Sequence, residues 1–375
     1  MKRSAWACVV VLAAIAIAVL GWQFRPAGEP SSSGYAGLAD SSGDFAVAGP
    51  HIELRFPQDH GPHPDYRIEW WYLTANLRGE DGRPFGVQWT LFRQALAPPT
   101  ALATDDQPWS SRQLWMAHAA VSTPSDHYFA ERFARGGIKQ AGVRITPFAA
   151  WLDNWSLMAP PATRGLEHLE VTAQGDDFGY RLQLTAEGPL VRHGDGGFSQ
   201  KSADGQGSMY YSQPFYRVSG EVRIAGESIA VSGRAWLDRE WSSQLLGPGQ
   251  SGWDWFSLHL DSGAKLMAFR LRGGGEANAG DYVSGSWISA QGQVTPLGDD
   301  QGDEELRLTP LAHSRVAGRR LPTAWRVEVP GHGLDFEVRA RHPKQWMGTS
   351  FAYWEGMVAV EGSHAGVGYL EMTGY

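Results

Sequence analysis

Residues 66–96, YRIEWWYLTANLRGEDGRPFGVQWTLFRQAL, carry two runs in which successive side chains alternate between two faces. An Asp-Gly pair at 81–82 separates the runs, and alternating runs around Asp-Gly are typical of a β-hairpin. Aromatic residues fall on both faces, as at Trp70 and Trp71. The stretch therefore predicts a long hairpin in a barrel, with a filled or ligand-holding interior on one face and a cover on the other.

Similar alternating runs follow along the rest of the chain, which contains 46 glycines and 22 prolines. This composition and the short spacing of the runs favour an all-β fold of sandwiches or barrels. One segment, 126–135, suggests a short helix instead. The further predicted strands cover residues 114–122, 169–174, 180–186, 217–224, 228–238, 253–260, 265–272, 281–289, 325–329, 334–339, 353–361 and 367–373.

The N-terminal segment differs from the rest of the chain. Lys2 and Arg3 precede an apolar run, so residues 1–22 are predicted to be either a signal peptide or a retained membrane anchor. Residues 23–50, rich in Gly, Ser, Ala and Pro, are predicted to be a flexible linker. The body is therefore expected to be periplasmic or secreted, either free or tethered to the inner membrane by residues 5–22. The single cysteine, Cys8, lies in this segment, so the mature part has no thiol chemistry.

Charge and motifs exclude several classes of function. The 32 Lys and Arg residues are outnumbered by 40 Asp and Glu, and no basic stripe is present, which excludes nucleic acid as a partner. Residues 247–252 match G-x-G-x-x-G, but a tryptophan-rich alternating run follows them where a nucleotide site needs a helix. His60, His63 and His118 are more typical of core or surface positions than of a metal site, so no metal is predicted.

The strongest candidate site is Asp238, which lies within WLDREW at 236–241 and precedes WDWF at 253–256. The chain contains 17 tryptophans, whose rigid apolar area suits the wall of a hydrophobic pocket. Burial in such a wall disfavours the charged form of a carboxylate and raises its pKa, which suits a general acid. Alternatively, Asp238 pairs with Arg234 or Arg239 and stabilises the turn.

The chemistry that fits this pattern is protonation of an alkene. A trisubstituted alkene then forms a tertiary carbocation, which each aromatic face stabilises by roughly 0.5–2 kcal/mol. Water adds to the cation, so the reaction needs a protonated carboxylic acid and no cofactor. For Glu69 and Tyr211, hydrogen bonding and core packing are the commoner roles. With Asp238 as the catalytic acid, the predicted substrate-binding residues are Trp236, Trp241, Trp253, Trp255, Tyr211, Trp70 and Glu69.

Four motifs in a fixed order give the chain a resemblance to a known family. EWWY at 69–72, MYYS at 209–212, GRAWLDREW at 233–241 and WDWF at 253–256 resemble the AttH/CrtC family. This family includes carotenoid 1,2-hydratases and proteins labelled predicted secreted hydrolases, and the resemblance extends over roughly residues 50–375. It implies an all-β protein with two lipocalin-like barrel domains, at 51–245 and 246–375.

The resemblance also implies a site and two alternative functions. In the carotenoid hydratases the proposed proton donor is an aspartate that follows a tyrosine; the aspartate falls on Asp238 and the tyrosine on Trp236. An upstream aromatic falls near Tyr210 or Tyr211. A phenol relays a proton and an indole does not. The protein is therefore either a cofactor-independent hydratase or hydrolase acting on an isoprenoid or lipid-like ligand, or a non-catalytic lipid carrier working with envelope transport proteins.

Overall fold

The computed structural model describes residues 43–99, 112–137, 139–244, 246–247, 249–273, 280–299 and 305–375. The predicted signal or anchor and most of the predicted linker lie outside these ranges. Within them, no helix is long and apolar enough to cross a membrane. In the described ranges, two short 3-10 turns, Gln58–His60 and Pro330–His332, accompany an otherwise β structure. The predicted all-β class is confirmed, and the strands form two curled antiparallel sheets.

The first sheet precedes the second along the chain. Its order is β4-β3-β2-β1-β13-β12-β9-β8-β7-β6-β5, and β10 and β11 also pair with β12. Among the described residues its strands are β1 (Ile68–Gly79), β2 (Pro84–Ala95), β3 (Gln113–Ser122), β4 (His127–Arg135), β5 (Ala141–Arg144), β6 (Ala149–Leu152), β7 (Trp155–Met158), β8 (His168–Gln174), β9 (Phe178–Ala186), β10 (Val191–Arg192), β11 (Phe198–Gln200), β12 (Gly207–Ile224) and β13 (Glu227–Ser242).

The second sheet begins after Ser242, and its order is β17-β16-β15-β14-β23-β22-β20-β19-β18. A short strand, β21, pairs with β22 outside this path. In the described part of the chain its strands are β14 (Gln250–Leu260), β15 (Lys265–Gly273), β16 (Tyr282–Ile288), β17 (Val294–Gly298), β18 (Arg307–Val316), β19 (Arg319–Val329), β20 (Leu334–Ala340), β21 (Trp346–Met347), β22 (Tyr353–Gly362) and β23 (Gly366–Met372).

The hairpin at 66–96 forms as its sequence predicts. Strands β1 and β2 pair antiparallel, with Leu77 opposite Phe85, and Gly82 takes a positive φ of 82° in the turn. A residue without Cβ adopts this conformation without strain, which explains the Asp-Gly signal. Strand β1 also pairs with β13, so the hairpin lies in the middle of the first sheet.

The segment at 126–135 is a strand, and the prediction of a helix there was wrong. Strand β4 pairs with β3 along its whole length, from Ser122 opposite His127 to Leu114 opposite Arg135. Pairing with a neighbouring strand outweighs a local helical preference, because strand propensity depends strongly on context. The sequence reading also missed β5, β6, β7, β10, β11, β17, β18 and β21, most of which are too short to show alternation.

Each sheet curls around its own apolar core. Trp71, Leu73 and Trp89 lie in the core of the first sheet, and Phe256 and Trp325 lie in that of the second. A third apolar cluster lies between the sheets and contains Tyr72, Tyr210, Trp236, Trp255, Phe269 and Tyr369. The outer faces of the central strands therefore cover each other. This arrangement accounts for the aromatic residues on both faces of the hairpin.

A candidate acid site between the two sheets

A cavity of about 140 Å³ lies between the outer faces of the two sheets. Its wall is mostly apolar, and the first sheet, the second sheet and the segment before β22 all contribute to it. Several lining residues keep partial exposure and mark its mouth. The residues of the wall that matter for the chemistry are Asp238, Glu371, Tyr210, Trp70, Trp255 and Phe269.

The alternation of β13 places Asp238 at this cavity. Trp236, Asp238 and Glu240 project from the face that meets the second sheet, whereas Arg239 and Trp241 project into the first sheet's interior. Asp238 lies directly opposite Tyr72 on β1 and Ser212 on β12. The sheet therefore surrounds the carboxyl group with a phenol on one side and a hydroxyl on the other.

The Asp238 carboxyl group is buried, with a relative exposure of 2%, and its hydrogen-bond partners are neutral. Its Oδ1 atom accepts hydrogen bonds from Ser212 Oγ and from Trp236 Nε1, the latter at 2.6 Å. Burial raises the pKa of Asp238 to about 7, although the hydrogen bonds from Ser212, Trp236 and Tyr210 act in the opposite direction. Asp238 is therefore close to half-protonated at neutral pH.

The arginine pairings considered for Asp238 do not form between the described side chains. Arg239 donates to Glu69 from the opposite face of β13, and no ion pair joins Arg234 to Asp238. Without an ion pair, the hydrogen bonds to Asp238 only partly offset the loss of hydration that favours the neutral carboxylic acid. The role of Asp238 as a salt-bridged turn residue is therefore not realised in this part of the chain.

A buried histidine extends the hydrogen bonds of Asp238 to the second sheet. His193 Nε2 lies 2.7 Å from Ser212 Oγ, and Nδ1 lies 2.9 Å from Ser286 Oγ. Ser212 has one hydroxyl hydrogen, which it donates to Asp238, so His193 donates from Nε2. Burial lowers the pKa of His193 to about 3, so the ring is neutral at pH 7. The second sheet therefore positions Asp238 through two serines and a histidine.

A second carboxyl group at the cavity, Glu371, was missed by the sequence reading. Its Oε1 atom accepts a hydrogen bond of 2.6 Å from Trp253 Nε1. Glu355 lies directly opposite on β22, where its Oε1 accepts a hydrogen bond of 2.6 Å from Tyr72. Burial and neighbouring carboxylate charge raise the pKa of both glutamates. A glutamate within an otherwise apolar strand is the signal that could have found each of them.

A third carboxylate, that of Glu69, lies on the opposite face of the first sheet and has very different surroundings. Arg93 and Arg239 both donate to it, and the backbone N–H of His63 lies 3.0 Å from both of its oxygens. Burial alone would raise the pKa of Glu69, but the charges of Arg239 and Arg93 outweigh it and hold the pKa well below its ordinary value. Glu69 is therefore a permanent anion that binds two arginines.

The predicted binding residues fall into two groups in the structure. Glu69, Trp70, Trp253 and Trp255 line the cavity together with Asp238. The others lie elsewhere: Trp236 is packed between the sheets behind Asp238, and Trp241 and Tyr211 belong to the first sheet's core.

Tyr211 lies on the opposite face of its strand from the cavity, where its hydroxyl is 2.7 Å from His60 Nδ1. The neighbouring residue Tyr210 lines the cavity instead and accepts a 3.1 Å hydrogen bond from Trp255 Nε1. One step along a strand reverses the direction of the side chain, which explains the difference.

The histidines weighed as metal ligands are engaged in other contacts. His118 lies 2.9 Å from the Tyr353 hydroxyl and 3.0 Å from Glu131, and His63 stacks on Trp241 at 3.8 Å. In the ranges that the structure describes, no group of three or more His, Asp or Glu side chains is arranged to hold a metal ion.

The fold and the site together define a double-sheet, lipocalin-like protein with two buried carboxyl groups of raised pKa, those of Asp238 and Glu371, at a cavity between its sheets. The chain belongs to the AttH-like family, whose model matches residues 47–375. It is similar to an AttH protein from Nitrosomonas europaea, with 35% identity over 88% of this chain and 99% of that chain and a TM-score of 0.76. The resemblance to this family is thereby confirmed.

A more distant structural neighbour bears the name of an enzyme. Kievitone hydratase from Nectria haematococca has 15% identity over 88% of this chain and 96% of that chain, with a TM-score of 0.62. At this identity the likeness concerns the fold alone, so the chain shares its fold with that enzyme. A search among curated proteins found no match.

Proposed function

We propose that this protein adds water to a carbon–carbon double bond of a hydrophobic, isoprenoid or lipid-like molecule, with Asp238 as the general acid. The observation that carries the proposal is the buried Asp238 carboxyl group, whose pKa of about 7 leaves a proton available at neutral pH. The family membership and the hydratase-like fold support it. Because residues 1–22 are predicted to be a signal peptide or a membrane anchor, we propose that this activity lies in the periplasm or outside the cell.

The first step is proton transfer from Asp238 to the alkene. Oδ1 already accepts two hydrogen bonds, so the acidic proton resides on Oδ2. The π electrons form the new C–H bond and leave a cation on the more substituted carbon. Trp255 presents an aromatic surface to the cavity, and such a face stabilises a cation by roughly 0.5–2 kcal/mol. This chemistry uses no cofactor.

The second step is addition of water, with Glu371 as the base. Water forms the C–O bond to the cation, and its released proton passes to the Glu371 carboxylate. The raised pKa of Glu371 makes it a stronger base than an exposed glutamate. Return of that proton to Asp238 through solvent completes the cycle, so the net reaction consumes one water. By microscopic reversibility, the same groups catalyse the elimination.

The indole at position 236 is compatible with this role for Asp238. Trp236 donates to Oδ1 and fixes the orientation of the carboxyl group without relaying a proton. A phenol is nevertheless present beside the acid, because the Tyr210 hydroxyl forms a hydrogen bond with Asp238 from the neighbouring strand. The Trp236 indole thus orients the Asp238 carboxyl group, and the Tyr210 phenol provides a further polar contact to it.

The test is incorporation of solvent deuterium and oxygen-18 into geraniol, a probe with two trisubstituted double bonds. The wild-type protein is expected to add water to the probe. Asp238→Asn keeps the Oδ1 acceptor but has no proton to give, so the rate should fall by roughly 10²- to 10⁴-fold.

Asp81→Asn, a change in the exposed hairpin turn, serves as the control and should leave the rate unchanged. Full turnover by Asp238→Asn would remove Asp238 from the mechanism. Binding of the probe without isotope incorporation by the wild-type protein would instead support a lipid carrier.

A further inference from the structure

A row of polar residues crosses the outer face of the first sheet, from the cavity to the edge strand β4. Asp238 on β13 lies directly opposite Tyr72 on β1, which lies opposite Thr90 on β2. Thr90 lies opposite His118 on β3, and His118 lies opposite Glu131 on β4. Directly opposite residues in antiparallel strands project to the same face. The five side chains therefore form one continuous stripe, which we call the polar row.

The polar row begins at the candidate site and ends where solvent reaches the protein. Asp238 and Tyr72 line the cavity, whereas Thr90 and His118 are fully buried beyond it. The Glu131 side chain, at the far end of the row, has a relative exposure of 17%. The row therefore leads from the cavity, through the covered part of the sheet, to water beside the edge strand.

His118 in the middle of the row is hydrogen-bonded at both ring nitrogens. Its Nε2 lies 3.0 Å from Glu131 Oε1, and its Nδ1 lies 2.9 Å from the hydroxyl of Tyr353, which lines the cavity. Burial alone would raise the pKa of Glu131, but hydrogen bonds from His118 and Ser350 outweigh it, so this group is an anion and only accepts. His118 therefore donates from Nε2, and Tyr353 donates to Nδ1. Burial lowers the pKa of His118, so the neutral ring can accept a proton at one nitrogen as it releases one from the other.

On the cavity side, further hydrogen bonds connect Tyr353 to the proposed base. The Tyr353 hydroxyl forms a hydrogen bond with Glu355, whose Oε1 atom accepts one of 2.6 Å from Tyr72. Tyr72 also forms a hydrogen bond with Glu371. Burial and the charge of Glu371 raise the pKa of Glu355, so Glu355 holds a proton that it can pass on. Groups that can both give and accept a proton therefore follow one another from Glu371 to His118.

We propose that these side chains carry the proton released by hydration from Glu371 to solvent at Glu131. The inference rests on the proposed function, because it takes Glu371 to be the base that accepts the proton of the attacking water. The proton passes in single steps through six groups in this order: Glu371, Tyr72, Glu355, Tyr353, His118 and Glu131. Each intermediate group gives up one proton and gains one, so Glu371 returns to the carboxylate and Glu131 releases the proton to water. Because this path runs behind the cavity, the proton can leave while a ligand still occupies the mouth.

The experiment compares Glu131→Gln with Ser350→Ala in the hydration of geraniol. The glutamine keeps an oxygen that accepts from His118 but cannot take up a proton, so kcat should fall by roughly 10- to 100-fold with KM unchanged. Ser350 donates to Glu131 from its backbone N–H at 3.1 Å and from its hydroxyl at 2.8 Å. Ser350→Ala is the matched control: it removes a hydrogen bond to the same carboxylate but leaves the proton path complete, and should leave kcat unchanged.

Tyr353→Phe is the second test variant, because it keeps the aromatic ring at the cavity and removes the hydroxyl that links Glu355 to His118. It should lower kcat to the same extent as Glu131→Gln. The double variant should be no slower than either single variant, since both changes interrupt the same path. A purely structural role for these hydrogen bonds predicts losses that add, and a loss in Ser350→Ala as well.

An unchanged kcat in Glu131→Gln, an equal loss in Ser350→Ala, or additive losses in the double variant would each overturn the proton path. Turnover that depends on Asp238, together with a normal kcat in Glu131→Gln, would leave the proposed function standing and reject the path. If the wild-type protein does not hydrate geraniol, infrared spectra that follow hydrogen–deuterium exchange at the buried carboxyl groups test the path without any reaction. Slower exchange in Tyr353→Phe than in Ser350→Ala would support the path, and equal rates would reject it.

Discussion

Two buried carboxylates of the first sheet, those of Glu69 and Asp238, lie on opposite faces of that sheet and have opposite acidities. Both are buried, and burial raises the pKa of each. Glu69 receives charged hydrogen bonds from Arg93 and Arg239, which more than offset burial and keep it ionised. Asp238 receives only neutral donors, and its pKa rises to about 7.

The difference shows that the cationic partner, and not the aromatic wall, decides what a buried carboxylate can do. Arg239 follows Asp238 in sequence, but the alternation of β13 directs it to the other face, where it meets Glu69. Arg239 therefore lowers the pKa of Glu69, which is distant in sequence, and forms no ion pair with its own neighbour Asp238. Glu69 forms ion pairs with Arg93 and Arg239 and so stabilises the fold, whereas Asp238 can donate a proton.

The largest effect on stability is expected when Glu69 loses its charge. Glu69→Gln leaves Arg93 and Arg239 buried without an anion, which costs about 3–5 kcal/mol of unfolding free energy. Asp238→Asn removes no ion pair and should change the unfolding free energy by less than about 1.5 kcal/mol at neutral pH. Urea denaturation of both variants measures the contrast.

Equal losses of unfolding free energy in the two variants would contradict the view that Glu69 is an ion-pairing carboxylate and Asp238 a proton donor. A small loss in Glu69→Gln, with the two arginines repacked toward solvent, would contradict it in the same way. Arg83→Gln, which removes an exposed ion pair with Asp81 in the hairpin turn, provides the baseline for a surface change.

The pH dependence of stability should have opposite signs at the two sites. Asp238 has a folded pKa of about 7 against an ordinary 3.8, so the folded state holds the extra proton between these values. Its stabilising contribution is therefore lost as the pH rises through that window, by at most about 1.4 kcal/mol per pH unit. Glu69 has a lowered pKa, so its contribution is lost as the pH falls below its ordinary 4.5.

The measurement is the difference in unfolding free energy between the wild-type protein and Asp238→Asn from about pH 5 to about pH 8. Taking the difference removes the titration of groups common to both proteins, such as His193. The wild-type protein should lose stability relative to the variant as the pH rises. A difference that is constant, or that grows with pH, would show that Asp238 is ionised throughout.

The sequence predicts the features that depend on local alternation. The hairpin at 66–96, the all-β class and the side of β13 that carries Asp238 all follow from a period of two. The exposure of Trp70 to one face and Trp71 to the other follows in the same way. Once a strand is recognised in the sequence, the face to which each of its side chains projects can therefore be predicted.

The partners of each side chain could not be predicted, because they come from strands that are far apart in sequence. Glu371 and Glu355 become neighbours only when β22 pairs with β23, and they reach Tyr72 only when the second sheet covers the first. The choice of Tyr210 over Tyr211 needed the register of β12 against β13. The helix predicted at residues 126–135 was wrong for the same reason, because their pairing with β3 could not be predicted from their own sequence.

The smallest expected effect concerns the donors to Asp238, which are neutral, whereas those to Glu69 include two arginines. Ser212 donates to Asp238 Oδ1, and a hydrogen bond to a charged group stabilises it by about 1.5–3 kcal/mol. Ser212→Ala should therefore raise the pKa of Asp238 by roughly one to two units. Infrared difference spectra of the protonated carboxyl band, taken against Asp238→Asn across a pH titration, report this pKa directly.

The matched control is Ser208→Ala, on the same face of β12. Ser208 donates to Glu240, which is also paired with Lys201 at 3.1 Å, so its loss should leave the titration of Asp238 in place. An unchanged pKa in Ser212→Ala would mean that burial alone sets the acidity of Asp238. A shift of similar size in both variants would mean that the hydrogen bond from Ser212 has no special role in setting the pKa of Asp238.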